Sequence, residues 1–138
     1  MAVKKPKAKY QTVMLVDDNE IDNFINLKII EGAAFAEKVL IHTSSKSALE
    51  FFRSIEVVGK LSDQLIPQII FLDLNMPIMD GFQFIDDFMK MTKRFNVNTR
   101  IIMLSSSVNP VDMEKAKKNK FITRFVNKPL TEKILAEL

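Results

Sequence analysis

The sequence predicts an α/β protein in which five strands alternate with five helices and form a parallel sheet covered on both faces. Three observations lead there. Five short apolar runs, at 11–16, 38–42, 69–72, 100–104 and 121–126, have the length and β-branched content of buried strands. Between them lie segments whose apolar residues fall at helical spacing, and helices are the common crossovers between parallel strands. A chain of 138 residues, 47% apolar and 27% charged, is long enough for one domain with one core and too short for two.

Taken in order, QTVMLV at 11–16 is a strand that ends at Asp17-Asp18, so it delivers two carboxylates to its C-terminal edge. Asn19 caps a helix over 20–31, with Ile21, Phe24, Ile25 and Ile29 as its buried stripe and Gly32 near its end. Residues 38–42 form the second strand. Ser44 or Ser45 opens the next helix, whose Ala48, Leu49, Phe52 and Ile55 mark the buried face, and 59–67 is a loop. The strand at 69–72 stops at Asp73. Asn75 follows, then Met76-Pro77 and the turn pair Asp80-Gly81 before the helical run FQFIDDFMKM.

Residues 96–99 read as a polar break, and the fourth strand at 100–104 runs into Ser105-Ser106-Ser107. Asn109 as cap and Pro110 as first helical residue start a helix that continues to about Lys118. The fifth strand, at 121–126, leads to Asn127-Lys128-Pro129, and Thr131-Glu132 begins a last helix that reaches Leu138.

Composition excludes several function classes. Without cysteine there are no disulfides, thiolate metal sites or cysteine nucleophiles, and a single histidine, His42, argues against zinc. His42 itself reads as a strand residue. The net charge of +3 is more than accounted for by Lys4, Lys5, Lys7 and Lys9, which leaves the remainder near −1. These lysines belong to a basic tail over 1–10, ahead of a domain over 11–138. No signal-peptide core follows the tail and no apolar run reaches bilayer length, which points to the cytoplasm and to no membrane partner. The cluster Lys115, Lys117, Lys118 and Lys120 reads as a solvated helix end rather than a nucleic-acid footprint, so no nucleic-acid partner is expected.

In a parallel sheet all C-terminal strand ends share one edge, so Asp17, Asp18, Asp73, Ser105 and Lys128 converge although they are far apart in sequence. Crowded carboxylates repel, and a hard divalent cation bound through oxygen relieves that repulsion; magnesium suits a few carboxylates, waters and a phosphate. An ammonium and a hydroxyl opposite them are suited to holding phosphoryl oxygens. The set reads as a place where a carboxylate attacks phosphorus and becomes an aspartyl phosphate.

These residues resemble the receiver domain of two-component response regulators. The resemblance runs from about Thr12 to Leu138 and is carried by VDDNE at 16–20, DLNMPIMDG at 73–81, MLSSS at 103–107 and NKP at 127–129, all in order and all at strand ends. It implies a doubly wound, flavodoxin-like three-layer sandwich with strand order 2-1-3-4-5. It makes Asp73 the phosphoacceptor, and gives magnesium the side chains of Asp18 and Asp73 and the backbone carbonyl of Asn75, with Asp17 acting through a metal-bound water. Ser105 takes the place of the switch hydroxyl and Lys128 that of the lysine that pairs with the phosphoryl group, with a cis peptide before Pro129. Phe125, on its own a core aromatic, falls where a ring changes rotamer with the switch; Asn75 and Ser107 flank the path of hydrolytic water.

The resemblance further implies a signalling phosphoacceptor that catalyses only its own phosphorylation and dephosphorylation. Its partners would be a sensor histidine kinase or a histidine phosphotransfer protein, and a downstream protein target. With no residues left for an output domain, a stand-alone receiver is expected. The chain departs from the common pattern in having Ser at 105 instead of Thr, Ser106 where a smaller residue is usual, and Asn119 instead of a glycine in the left-handed turn before the fifth strand. The alternative is a magnesium-dependent phosphohydrolase with an aspartyl-phosphate intermediate. Enzymes similar to the haloacid dehalogenase family carry Asp-x-Asp, however, and here the residues are Asp73-Leu74-Asn75. Gly32, Gly59 and Gly81 build no phosphate loop or dinucleotide fingerprint.

Overall fold

The computed structural model describes residues 7–59, 64–91, 93–106 and 109–138. Its elements follow the order β1 (Tyr10–Val16), α1 (Glu20–Gly32), β2 (Ala36–His42), α2 (Ser45–Val58), β3 (Ile69–Asp73), α3 (Gly81–Met89), α4 (Lys93–Asn98), β4 (Arg100–Ser105), α5 (Pro110–Lys118), β5 (Ile122–Asn127) and α6 (Glu132–Glu137). The five strands are all parallel and lie in the order β2-β1-β3-β4-β5.

Alternation along the strands builds the three layers, because successive side chains point to opposite faces. Met14, Val16, Ile70, Leu72 and Met103 face one side, where Ala48, Leu49 and Phe52 of α2, Phe84 and Phe88 of α3 and Phe95 of α4 cover them. Val13, Leu15, Ile69, Phe71, Ile102 and Leu104 face the other, where they meet Ile30 of α1, Phe35, Leu130 and Leu135 of α6. Phe52 is the hub of the first layer, with ring centroids 4.9 Å from Phe88 and 5.1 Å from Phe95.

Three details differ from the sequence reading. The polar stretch at 96–99 is mostly the short helix α4, held because Phe95 is fully buried, so six helices surround the sheet. Asn119 takes no left-handed conformation but is extended, and its side chain accepts from the Phe121 amide; α1 does end at Gly32, with the positive φ two residues on, at Ala34. The largest difference is α1. Its apolar residues Ile21, Phe24 and Ile25 face solvent, Ile29 is partly buried, and Asn23, Asn26 and Ile30 face the protein.

That inversion has a hydrogen-bonding cause. Asn23 Nδ2 donates to the Asp17 carbonyl at 2.8 Å, and Asn26 Oδ1 accepts from the Leu130 amide at 3.1 Å. Both bonds are buried, and turning the apolar stripe inward would leave these backbone groups unpaired at a cost of about 1–3 kcal/mol each. Part of the loop expected over 59–67, and the greater part of the expected tail, lie outside the described residues; β1 itself begins at Tyr10.

The turn after β3 sets the position of the site. Asp80 caps α3 through a reciprocal pair with Gln83, each bond 2.9 Å long. The Gly81 amide donates to the Leu74 carbonyl at 3.0 Å, and a Cβ there would lie 2.9 Å from the Asp73 carbonyl oxygen and 3.1 Å from the Met103 sulfur. Only a residue without a side chain lets α3 close against the end of β3. Gly81→Ala is expected to lower stability by about 1–3 kcal/mol, read as a lower midpoint in urea at unchanged slope.

Candidate functional site

Four strand ends meet at the C-terminal edge of the sheet. β1 releases Asp17, whose amide donates to the His42 carbonyl at 3.0 Å and whose Oδ1 accepts from the Asn19 amide at 2.9 Å, so the carboxylate is fixed on both sides. β3 ends at Asp73, and the next residue, Leu74, donates to the Leu104 carbonyl at 2.9 Å. Ser105 ends β4 fully buried, one register step beyond the Leu104 that pairs with Asp73. After β5, the Lys128 amide donates to the Ser105 carbonyl at 2.8 Å, and the peptide to Pro129 is cis, as expected.

This backbone frame brings the expected charged groups together. Lys128 Nζ lies 2.5 Å from Asp17 Oδ2 and 3.2 Å from Asp73 Oδ1. Asp17, Asp18 and Asp73 each offer a carboxylate oxygen within 4.8 Å of the others; Asp17 and Asp73 are buried, and Asp18 is exposed at the rim. The Asn75 amide donates to Asp73 Oδ1 at 3.3 Å, and Asn75 itself is exposed. Phe125 sits apart from the charges, partly buried on β5 opposite Met103 and packed against the first core layer. Ser107 lies outside the described residues.

One participant was not foreseen. Asp22, in the first turn of α1, lies 3.0 Å from Lys128 Nζ through its Oδ2. In the sequence it is an ordinary acid near a helix start, where the helix dipole favours it. Its link to Lys128 spans 106 residues, and no local spacing carries that information.

The electrostatics follow from burial and crowding. Burial, reinforced by the Asp17 charge, raises the Asp73 carboxyl from its ordinary 3.8 to about 6, and the nearby Lys128 only partly offsets this. Burial opposes the charge of Lys128 as well, but hydrogen bonds to Asp17 and Asp22 outweigh it and hold the ammonium above the ordinary lysine range. Asp73 therefore remains short of positive charge even with Lys128 beside it. Three carboxylate oxygens within 4.8 Å, two of them buried, form a hard oxygen donor set that a divalent cation such as magnesium fits. Close by is an ammonium, and Ser105 is buried one residue past the Leu104 that pairs with Asp73, so the chemistry supported is binding of a tetrahedral oxyanion against a carboxylate.

Comparisons with known proteins agree with the architecture. Residues 13–138 match the response regulator receiver domain family. The chain superposes on a two-component response regulator from Cytophaga hutchinsonii with a TM-score of 0.82 and 31% identity, covering 96% of this chain and 94% of that one. A response regulator receiver protein from Dyadobacter fermentans gives a TM-score of 0.78 and 28% identity, with 92% and 93% covered. A probable methanogenesis regulatory protein, FilR2, of Methanothrix harundinacea is 24% identical over 119 residues, which is 86% of this chain and 72% of that protein.

The raised Asp73 value has a consequence for stability. Between pH 3.8 and about 6 the folded chain binds more protons at this group than the unfolded chain does, so Asp73 makes stability fall as pH rises through that window. Asp73→Asn removes the effect. At pH 7 without added metal the variant is expected to be roughly 1–2 kcal/mol more stable than wild type, with the gap closing by pH 4, as measured by urea denaturation at the two pH values.

Proposed function

The chain belongs to the response regulator receiver domain family, and from that premise we propose that it takes a phosphoryl group onto Asp73 from the phosphohistidine of a sensor kinase or phosphotransfer protein. An Asp73 oxygen attacks phosphorus as the P–N bond breaks, and the electron pair of that bond leaves with the imidazole nitrogen. The observation that carries this reading is the single ammonium of Lys128 set between the buried acids at 2.5 and 3.2 Å, beside a third acid at the rim. That amine is in reach of oxygens that a phosphoryl group on Asp73 would present.

Asp18 and Asp73, with the carbonyl of Asn75, would hold magnesium, and Asp17 would act through a metal-bound water. When bound, the ion supplies neutralisation of the charge that builds up during transfer. Ser105, buried at the end of β4, donates its hydroxyl to a second phosphoryl oxygen. Its inward movement opens space toward Phe125 and shifts the face formed by α5, β5 and α6 between two states, which a downstream protein partner distinguishes. Signalling rather than turnover is the output, because the position two beyond Asp73 is Asn75 and supplies no acid for a phosphohydrolase. Asn75 and Ser107 are assigned to the path of hydrolytic water.

Among the described residues no helix is long and apolar enough to cross a membrane, and the chain is assigned to the cytoplasm as part of the same proposal. The proposed domain spans 11–138 behind the basic segment 1–10. With acetyl phosphate and magnesium, intact mass is expected to rise by one phosphoryl group in the wild type and not in Asp73→Asn. An unmodified wild-type chain, under conditions that label another receiver, would refute the assignment.

A further inference from the structure

Lys128 is held by one acid more than phosphoryl transfer requires. An ammonium has three N–H donors, and here three carboxylates surround it, Asp17 at 2.5 Å, Asp22 at 3.0 Å and Asp73 at 3.2 Å. Asp17 and Asp73 belong to the metal and phosphoryl set of the proposed function. Asp22 belongs to neither and comes from a different element. Its amide is fixed by the Asn19 cap at 3.1 Å, and its place in the first turn of α1 favours the carboxylate.

A phosphoryl group on Asp73 takes over that carboxylate's contact with Lys128 and brings more negative charge and further acceptor oxygens, so one of the amine's two remaining acids, Asp17 or Asp22, has to share it or give way. Exposure decides which. The Asp17 side chain is 3% exposed, and a buried carboxylate that loses its cation is costly; Asp22 is 33% exposed and can be rehydrated. Asp22, Ile25, Asn26, Ser106, Lys128 and Pro129 line an open cleft of about 240 Å³, which gives both the carboxylate and the amine room to move.

Resting on the receiver reading above, we propose that Asp22 is a positioning residue that competes with the phosphoryl group for the Lys128 ammonium, and so sets how tightly the phosphorylated state is held. Asp22 acts through Lys128 and touches neither metal nor phosphorus. Its removal frees one N–H and takes away one like charge, and both changes favour the anion.

The test compares wild type, Asp22→Asn and Asp22→Glu in magnesium, titrated with beryllofluoride, which binds the Asp73 carboxylate as a phosphoryl mimic. Asp22→Asn is expected to tighten beryllofluoride binding roughly threefold to tenfold, as for a solvent-screened unit charge, and Asp22→Glu to return toward wild type. In parallel, reductive methylation of Lys128 without beryllofluoride, followed by peptide mass spectrometry, is expected to be several times faster in Asp22→Asn, because the amine has lost an anchor. Equal beryllofluoride affinities in wild type and Asp22→Asn would overturn the inference. So would a tighter affinity without faster Lys128 labelling, which would show a bare field effect. A wild-type chain that does not respond to beryllofluoride would overturn the receiver reading itself, and this inference with it.

Discussion

The structure at the C-terminal edge of the sheet depends on one ammonium holding apart carboxylates that would otherwise repel. At an effective dielectric of about 20, two like charges at the 4.8 Å limit found among Asp17, Asp18 and Asp73 repel by on the order of 3 kcal/mol. Lys128, at 2.5–3.2 Å from three carboxylate oxygens, returns attraction of the same order to each. The balance is incomplete at Asp73, whose carboxyl stays raised to about 6. A buried carboxylate left short of positive charge is one that a bound cation would stabilise.

The parallel sheet makes this arrangement possible, because strand ends collect on one edge whatever their separation in sequence. Two peptide links hold the edge to tolerance: Leu74 to Leu104 at 2.9 Å fixes the end of β3 against β4, and Lys128 to Ser105 at 2.8 Å fixes the end of β5 against β4. The amine is therefore aimed by backbone bonds before any side chain contributes. Gly81 adds the third restraint, since α3 packs against the Asp73 carbonyl at a distance that a Cβ could not share.

Much of this was legible in the sequence for a physical reason. Strands buried on both faces read as continuous apolar runs, and each run here ends in a polar residue that has no place in the core, so IIFL before Asp73 or RIIML before Ser105 marks both the element and its end. The caps Asn19, Ser44, Asn109 and Thr131 were readable because a capping side chain bonds amides two or three residues away. What was not legible depends on partners distant in the chain. The polar stretch at 96–99 becomes helical because Phe95 is anchored among Phe52 and Phe88, and Asp22 joins the site only through a lysine 106 residues on.

Helix α1 shows why apolar spacing misled. Ile21, Phe24 and Ile25 recur at helical spacing, so periodicity alone assigns them to the core, yet burying a stripe is favourable only if the surface it covers is apolar. The surface beside the first half of α1 is the edge of the charged pocket, with the Asp17 carbonyl, the Lys128 ammonium and the Leu130 amide all in need of partners. Burying three large apolar side chains is worth about 1.5–3 kcal/mol each where the surface they cover is apolar, but here it would set them against the charged pocket, leave the Asp17 carbonyl and the Leu130 amide unsatisfied and take Asp22 from an ammonium that would keep only Asp17 and Asp73. Asn23, Asn26 and Asp22 win the inward positions, and only beyond the pocket, at Ile30, does the helix return to apolar packing. The rotation of α1 is thus set by the site, so the charged edge that makes the chemistry possible also dictates part of the fold.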